Sequence, residues 1–457
     1  MRTNHTGLLI LMLFAIGIVV YAALEPTSYE AIIDREEVVF WHFWGGEDRA
    51  VVEEVVRRFN ASQDKHFVRA VAMPGNNLDV KLFLAVTGGD PPDLINQDDP
   101  IIADWASRGA LTPLDELASP DEIERLNRWL FPAARKLCEY DGRHYGLCNG
   151  LDIRALYYNK TLFEENNVPL PQTPEDLSNI AQRLSLVDDD GRYQRFGYLP
   201  DSRRLWAWAI AFGGEFYDSE RGVTADSAPV VEALDWMQSF SQRFAPERVA
   251  AFRQGDQSLP GKTFPLLPTS DDSPHGRYAM ILDGQWRVRD IQRTTRQRRE
   301  DGLAVAEYGV APLPHPSTGR PDAGWVNGNF FLVPRGAKCS AGAWEFMKFW
   351  SGFDGNESAA ATTCTNGGWI PVSQKVVDEP VFRSFLNDQP LFRKFVDLAG
   401  SENQYPVPIV RGAALFNREI KNVGGEAMAD PNDSPRELLQ QATKRIQAHL
   451  DRMSDSE

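Results

Sequence analysis

The sequence predicts an α/β fold with mainly parallel sheets, and three observations carry that prediction. The first is a strand-helix-strand unit near the start. Val38 to Trp44 is a continuous apolar run, the pattern of a strand buried on both faces. Gly45-Gly46 ends it. A helix opens at Glu47, and its Val51, Val52, Val55, Val56 and Phe59 recur at the helical period. Asn60 to Lys65 turns the chain, and Phe67 to Ala72 forms a second strand, which implies a parallel pair joined by a crossover. The second observation is a series of helix starts. Thr173-Pro174-Glu175-Asp176 supplies an N-cap, a proline at the first helical position and an acid at the third. Ser227 heads a helix that buries Val230, Leu234, Met237 and Ser241. Ser434-Pro435-Arg436-Glu437 is a capping box, followed by Leu439, Ala442, Ile446 and Leu450 on one face. The third is Asp141-Gly142, flanked by Glu139-Tyr140 and Arg143-His144, which spells a tight hairpin.

The chain has 457 residues, enough for two or three domain-sized units. Its 42% hydrophobic and 25% charged residues are those of a globular protein and exclude wholesale disorder, collagen and coiled coil. A net charge of −16 gives no general attraction for phosphate backbones, so nucleic acid is not an expected partner. Leu8 to Leu24 carries no charge and follows Arg2. It is either the apolar region of a signal peptide or a short retained membrane anchor, and both put the rest of the chain outside the cytoplasm. No cysteine follows the run, so a lipid anchor is excluded there.

Catalytic patterns are absent. The seven histidines are scattered without metal-ligand spacing, and there is no Gly-x-Ser-x-Gly elbow or phosphate loop. No cofactor, resident metal or enzymatic activity is therefore expected. Four cysteines are too few for a disulfide scaffold. Hairpin pairing sets Cys138 against Tyr145 rather than Cys148. Cys339 begins one predicted helix and Cys364 ends the next, so antiparallel packing makes Cys339–Cys364 the candidate bridge.

Motifs in a fixed order give a family resemblance. Phe40-Trp41-His42-Phe43-Trp44-Gly45-Gly46-Glu47 comes first, then Gly88-Gly89-Asp90-Pro91-Pro92-Asp93-Leu94. Gly109-Ala110-Leu111-Thr112-Pro113-Leu114-Asp115 and Asp141-Gly142-Arg143-His144-Tyr145-Gly146-Leu147 follow, with further phrases at 156–163, 212–218, 280–286, 310–314, 343–349 and 368–372. From Val38 to Leu450 the chain resembles the sugar-type, family-1 extracellular solute-binding proteins of ABC importers. Its Arg-rich stretch from Arg289 to Arg299 lies outside that pattern.

The resemblance implies a two-lobed periplasmic-binding-protein fold, each lobe a mainly parallel sheet flanked by helices, with a cleft between lobes. Residues 1–35 would be signal or anchor plus linker. Residues 36–150 and 311–370 would build lobe one, and 151–310 and 371–457 lobe two. It implies a monomer that binds a carbohydrate and delivers it to membrane permease subunits. A sensing subunit for a membrane kinase, or a binder of a non-sugar solute such as glycerol-phosphate, are the alternatives.

A neutral sugar presents apolar C–H faces and a ring of hydroxyls. Indoles stack on the faces, while Asp, Asn, Glu and Arg bond the hydroxyls, most usefully on loops at strand ends. By that logic Trp44 and Glu47, at the end of the first strand, are candidate ligand-binding residues. Asp98 follows the strand at 93–95. Trp206, from the Trp206/Trp208 pair, is favoured for the cleft. Asp283 and Trp286 close the phrase Asp283-Gly284-Gln285-Trp286, with Trp286 set to stack on the sugar opposite Trp44. Trp325, Asn327 and Trp369 lie in glycine-loosened loops near the crossings, and Arg411 completes the set.

Overall fold

A computed structural model describes residues 34–73, 78–98, 100–257 and 264–454. The apolar run Leu8 to Leu24 lies outside them. No helix among the described residues is long and apolar enough to cross a membrane.

The strand-helix-strand unit forms as expected. β1 (Glu36–His42) and β2 (His66–Ala72) pair in parallel from Glu36 against His66 to His42 against Ala72. The connecting helix, Gly46–Ser62, buries Val52, Val55, Val56 and Phe59. β3 (Leu94–Gln97) adds to the other side of β1, also in parallel. Beyond this the sheet departs from expectation. β4 (Gly146–Asn159), β5 (Met280–Gly284), β6 (Tyr308–Ala311) and β7 (Gly324–Pro334) join through antiparallel ladders: β7 with β3, β7 with β4, and β4 with both β5 and β6. The path through the sheet runs β5-β4-β7-β3-β1-β2. It is mixed rather than mainly parallel. The cause is the 14-residue β4, which at about 3.3 Å per residue reaches about 46 Å and runs through both halves of the molecule.

The buried side chains fall into two clusters. One holds Phe40, Phe59, Trp105, Phe331, Phe346 and Trp350. The other holds Trp206, Trp208, Met237, Phe416 and Ile446. β4 feeds both, with Ile153 and Ala155 in the first and Leu156 in the second. The chain past residue 371 divides between them. Val376, Phe382, Phe392 and Phe395 enter the first cluster, and the second resumes at Val407. The 371–399 stretch thus packs with the first cluster, where Phe395 meets Tyr157 of β4 at 5.5 Å.

Local signals hold well. Thr173 and Asp176 form a reciprocal capping box, and the Ser434 hydroxyl accepts from the Glu437 N–H at 3.4 Å. Asp141 and Gly142 both adopt positive φ, and Tyr140 pairs with Arg143. Ser227 is an N-cap residue whose hydroxyl does not cap the helix and instead donates to the Glu215 carbonyl at 3.5 Å. The cysteine expectation fails: all four thiols are free and buried. Cys339 turns toward His66 and Glu36, whereas Cys364 is buried in the first cluster.

His42 is 2% exposed in β1, beside Phe40 and Trp44. Burial first, then Arg49, pushes its pKa down to about 4 from 6.5, while Glu53 acts the other way. The unfolded chain therefore binds the extra proton between those values. Stability from the neutral ring is complete above pH 6.5 and drains as pH falls toward 4, at a limiting slope of about 1.4 kcal/mol per pH unit. Urea midpoints should fall between pH 7 and pH 5, and His42→Phe should shrink that fall. An unchanged pH dependence in the variant would show that His42 does not contribute it.

Candidate functional site

The carboxyl ends of β1, β3 and β5 converge, and a cavity of about 750 Å3 opens there. This is where open α/β sheets place ligands. β1 delivers Phe43 and Trp44, β3 delivers Asp98, and β5 delivers Gln285 and Trp286. Asp152 and Asn329 come from β4 and β7, and Asn366 and Trp369 from the end of the Glu357–Gly367 helix and the loop beyond it.

One wall is aromatic. Trp44 stacks on Trp369 at 5.4 Å and 23°, and on Trp350 behind it at 5.4 Å and 10°. Trp44 is only 7% exposed, so most of the ring is core and its edge serves the cavity. Trp369 occupies space that Gly367 leaves open, since a Cβ there would stand 2.7 Å from the indole. Trp286 is arranged in the same way. A Cβ on Gly284 would meet its ring carbons at 2.2 Å, so the indole folds back across a bare backbone. Trp286 is 37% exposed, the most open of these rings. The Arg154 guanidinium lies between Trp286, at 5.4 Å, and Trp325, at 4.1 Å, as a cation–π support. Burial is the largest influence on Arg154 and lowers its pKa to about 10, with Asp152 opposing, so the group stays charged at neutral pH.

The polar wall is built from the crossing strands. Buried Gln285 donates to the Asp152 carboxylate at 2.7 Å and to the Leu151 carbonyl at 3.2 Å, and accepts from the Ile153 N–H at 3.2 Å. Asp152 is thereby fixed at the cavity edge. Asn329 sits two residues beyond Asn327 on β7, hence on the same face. Its buried side-chain oxygen has no hydrogen-bond partner among the described residues, and the residue lines the cavity. At the rim, Arg289 bridges Glu47 at 3.4 Å and Asp48 at 3.7 Å and also donates to the Gly367 carbonyl. Burial raises the Asp48 carboxyl above its usual range, and Arg289 offsets part of that.

Trp44, Asp98, Trp286 and Trp369 are therefore brought together on one cavity. Trp325 and Asn327 line a smaller adjoining cavity of about 90 Å3 that shares Asp98, whose backbone carbonyl accepts from Asn327 at 2.9 Å. Glu47 stands at the rim in its ion pair and does not line the cavity. Asp283 is held away from it by Arg204 at 3.2 Å and Arg287 at 2.8 Å, on a separate cavity of about 310 Å3. Trp206 is a core residue, 1% exposed, whose indole N–H donates to Asn417 at 3.0 Å. Its whole helix, Leu205–Ala211, is buried, so neither it nor Trp208 faces a cleft. Arg411 lies off the main cavity, beside Gly412, whose N–H donates to Asp104. Sequence reasoning missed Asp152, Gln285, Asn329, Asn366 and the rim role of Arg289. For Asn329 the period-two spacing from Asn327 was the available signal.

The sequence across most of the chain, not the cavity alone, decides the family. It matches the bacterial extracellular solute-binding protein family over residues 54–389. This chain belongs to that family. It is 23% identical over 367 residues to a maltotriose-binding protein of Pyrococcus abyssi, spanning 78% of this chain and 71% of that one. The solved structure of CpMnBP1 with mannotriose bound shares the fold at a TM-score of 0.70 and 21% identity, over 90% of this chain and 100% of its own. The sugar-binding protein MalE of Xanthomonas citri matches with a TM-score of 0.70 and 19% identity, over 92% of this chain and 98% of that one. These neighbours establish the solute-binding fold, and with it the α/β architecture expected from the sequence.

In this solute-binding chain, Gly284 has a specific job. Gly284→Ala should eject the Trp286 ring, the flexible partner in that contact, and change near-UV circular dichroism and tryptophan emission. The urea midpoint should move by no more than about 1 kcal/mol equivalent, because the displaced ring is a partly exposed one. Unaltered spectra would mean that Trp286 does not rest on Gly284.

Proposed function

We propose that this chain is the extracytoplasmic, carbohydrate-binding component of an ABC importer. The observation that carries the proposal is the pairing, in one cavity, of indole faces with hydrogen-bonding groups: Trp286 and Trp369 beside Asp98, Asp152 and Asn329. Stacking on C–H faces and bonding of hydroxyls are the two demands of a sugar. A cavity of about 750 Å3 is in the upper part of the usual range for ligand sites, which favours an oligosaccharide over a single ring. The similarity to a maltotriose-binding protein and to a mannotriose-bound structure supports the same substrate class.

In this reading, sugar touching the β1, β4, β5 and β7 walls together favours the closed form, because only differential affinity shifts a conformational equilibrium. The permease subunits then recognise the closed, monomeric protein, and the importer's ATPase subunits hydrolyse the ATP that drives uptake. The two lobes meet along β4 and β7, with the divisions falling where the two buried clusters exchange chain. Leu8 to Leu24 exports the chain and is either cut or kept as a tether.

A thermal-shift screen of mono- and oligosaccharides tests the proposal. A bound sugar at a hundredfold excess over its dissociation constant stabilises the protein by about 2.7 kcal/mol. Trp286→Ala should weaken that sugar by about 2 kcal/mol, roughly thirtyfold, the scale of an aromatic anchor. Asn329→Ala should cost about 1 kcal/mol, one neutral hydrogen bond. Both variants should fold. A shift with amino acids or metals only, or a Trp286→Ala protein that binds sugar as the parent does, would overturn the proposal.

A further inference from the structure

At the opposite end of β1 from the cavity, three side chains from distant parts of the chain converge. Glu36 and His66 are the first residues of β1 and β2 and are direct partners in the parallel ladder, so they share a face. Cys339 precedes the Ser340–Ser351 helix, 273 positions beyond His66. His66 Nδ1 lies 3.4 Å from Glu36 Oε2 and 3.7 Å from Cys339 Sγ, and Cys339 Sγ lies 3.7 Å from Glu36 Oε2. His66 is 2% and Cys339 8% exposed, while Glu36 is open to solvent.

We propose that Glu36, His66 and Cys339 form a binding site for a divalent transition-metal ion of the zinc class.

Three observations carry it. The spacings are those of a coordination polyhedron. Zinc bonds of about 2.3 Å to sulfur and about 2.0–2.2 Å to nitrogen and oxygen, set tetrahedrally, give ligand–ligand edges of about 3.6 Å to sulfur and about 3.4 Å between nitrogen and oxygen. The same spacings are too long for a strong imidazole–carboxylate hydrogen bond, which closes to about 2.7–2.9 Å. Second, the buried imidazole has no short nitrogen–oxygen hydrogen bond among the described residues, and its Nδ1 meets only the soft Cys339 sulfur at 3.7 Å and the Glu36 carboxylate at 3.4 Å. Nε2 has no partner among the described residues. A metal on Nδ1 satisfies that ring nitrogen. Third, the surroundings hold the donors in place and leave room. A Cβ on Gly342 would stand 2.8 Å from both Cys339 Sγ and His66 Nδ1, so only glycine lets the two donors meet. Asp93 accepts from the Cys339 N–H at 2.7 Å and the Val39 N–H at 2.8 Å, pinning Cys339 to β1. Gln63 holds the backbone of His66 through both its N–H and its carbonyl at 2.8 Å.

The donor set selects the metal. A thiolate, an imidazole and one carboxylate suit zinc and its neighbours and disfavour magnesium or calcium, which prefer all-oxygen shells. Capture releases the Cys339 proton to water, the sulfur then bonding the ion as thiolate. Three protein ligands leave a fourth position to solvent on the Glu36 side. Histidine spacing could not reveal the site, because its donors come from three separate segments.

The test uses the purified full chain, freed of metal with a chelator. Zinc chloride should raise the melting temperature, while magnesium chloride at the same concentration should not. Cobalt(II) should produce a thiolate-to-metal absorption band in the near ultraviolet and tetrahedral bands in the visible. Cys339→Ser should abolish the thiolate band. Glu36→Gln, an exposed change that leaves folding intact, should weaken zinc by more than about tenfold. The proposal is overturned if cobalt gives no thiolate band, if Glu36→Gln binds zinc as the parent does, or if magnesium stabilises equally. Sugar-binding variants such as Trp286→Ala should retain the zinc response, so the two sites fail independently.

Discussion

The antiparallel ladder between β4 and β7 is the contact on which the rest of the molecule depends. It pairs Ile153 with Val326, Asp152 with Asn327, Leu151 with Gly328 and Gly150 with Asn329, then shifts register at Asn329/Phe330. A Cβ on Gly328 would lie 2.6 Å from the Gly150 carbonyl, so the crossing is as close as two backbones can come. Its ends belong to different cores. Phe331 and Leu332 lie in one, and Ala323 and Trp325 in the other. Along its middle it presents Asp152 and Asn329 to the cavity. The register shift is placed where the strand changes from building a core to lining a site, a common position for a bulge.

Charge is handled by capture rather than exclusion. Asp283 is 8% exposed and sits between Arg204 and Arg287, while its own backbone neighbour Gly284 donates to it at 2.9 Å. Such a buried cluster adds little net stability, because desolvation offsets most of the attraction. Its value here is positional. Asp283 fixes the end of β5, the Tyr157 hydroxyl bonds the Gly284 carbonyl at 2.8 Å, and Gln285 docks on β4. The turn that bears Trp286 is therefore tied at three consecutive residues. The exposed ring stands on a rigid base, which reduces the entropy lost when it meets a ligand.

The legible parts of this protein were those encoded by neighbours in sequence. The β1-helix-β2 unit, the Thr173 cap and the Asp141-Gly142 turn depend on residues a few positions apart, and their patterns suffice. Trp286 was legible for the same reason: a strand, a glycine and an aromatic follow one another. The illegible parts depend on partners far along the chain. Asp283 looked like a free site acid because Arg204, 79 positions away, is invisible to local reading. Trp206 lies in Leu205–Ala211, where every residue is buried, so no periodicity marks a face. The antiparallel pairing of β4 with β7 joins segments with six α-helices between them among the described residues, and strand composition is silent on direction. Cys339 and Cys364 have helix-end positions that invite pairing, but rotation of the two helices sends the thiols to different neighbours.

Folding also leaves polar groups unpaired at and behind the cavity wall. Asn329 keeps a buried acceptor, and Trp350, 1% exposed behind Trp44, a buried donor, neither with a partner among the described residues. Each such group costs about 1–3 kcal/mol when left unmade. A fully apolar lining would be more stable and would bind apolar ligands. Asn329 instead lines the cavity beside Asp98 and Asp152, so in the carbohydrate reading proposed above the wall offers polar partners to hydroxyls and none to an apolar group of the same size. Sites of this kind reject analogues lacking the hydroxyl far more strongly than apolar pockets reject a missing methylene. Indole faces alone would hold any flat apolar surface. In the proposed carbohydrate reading, the polar groups beside them, Asp98, Asp152 and Asn329, are what would restrict the site to a hydroxylated ligand.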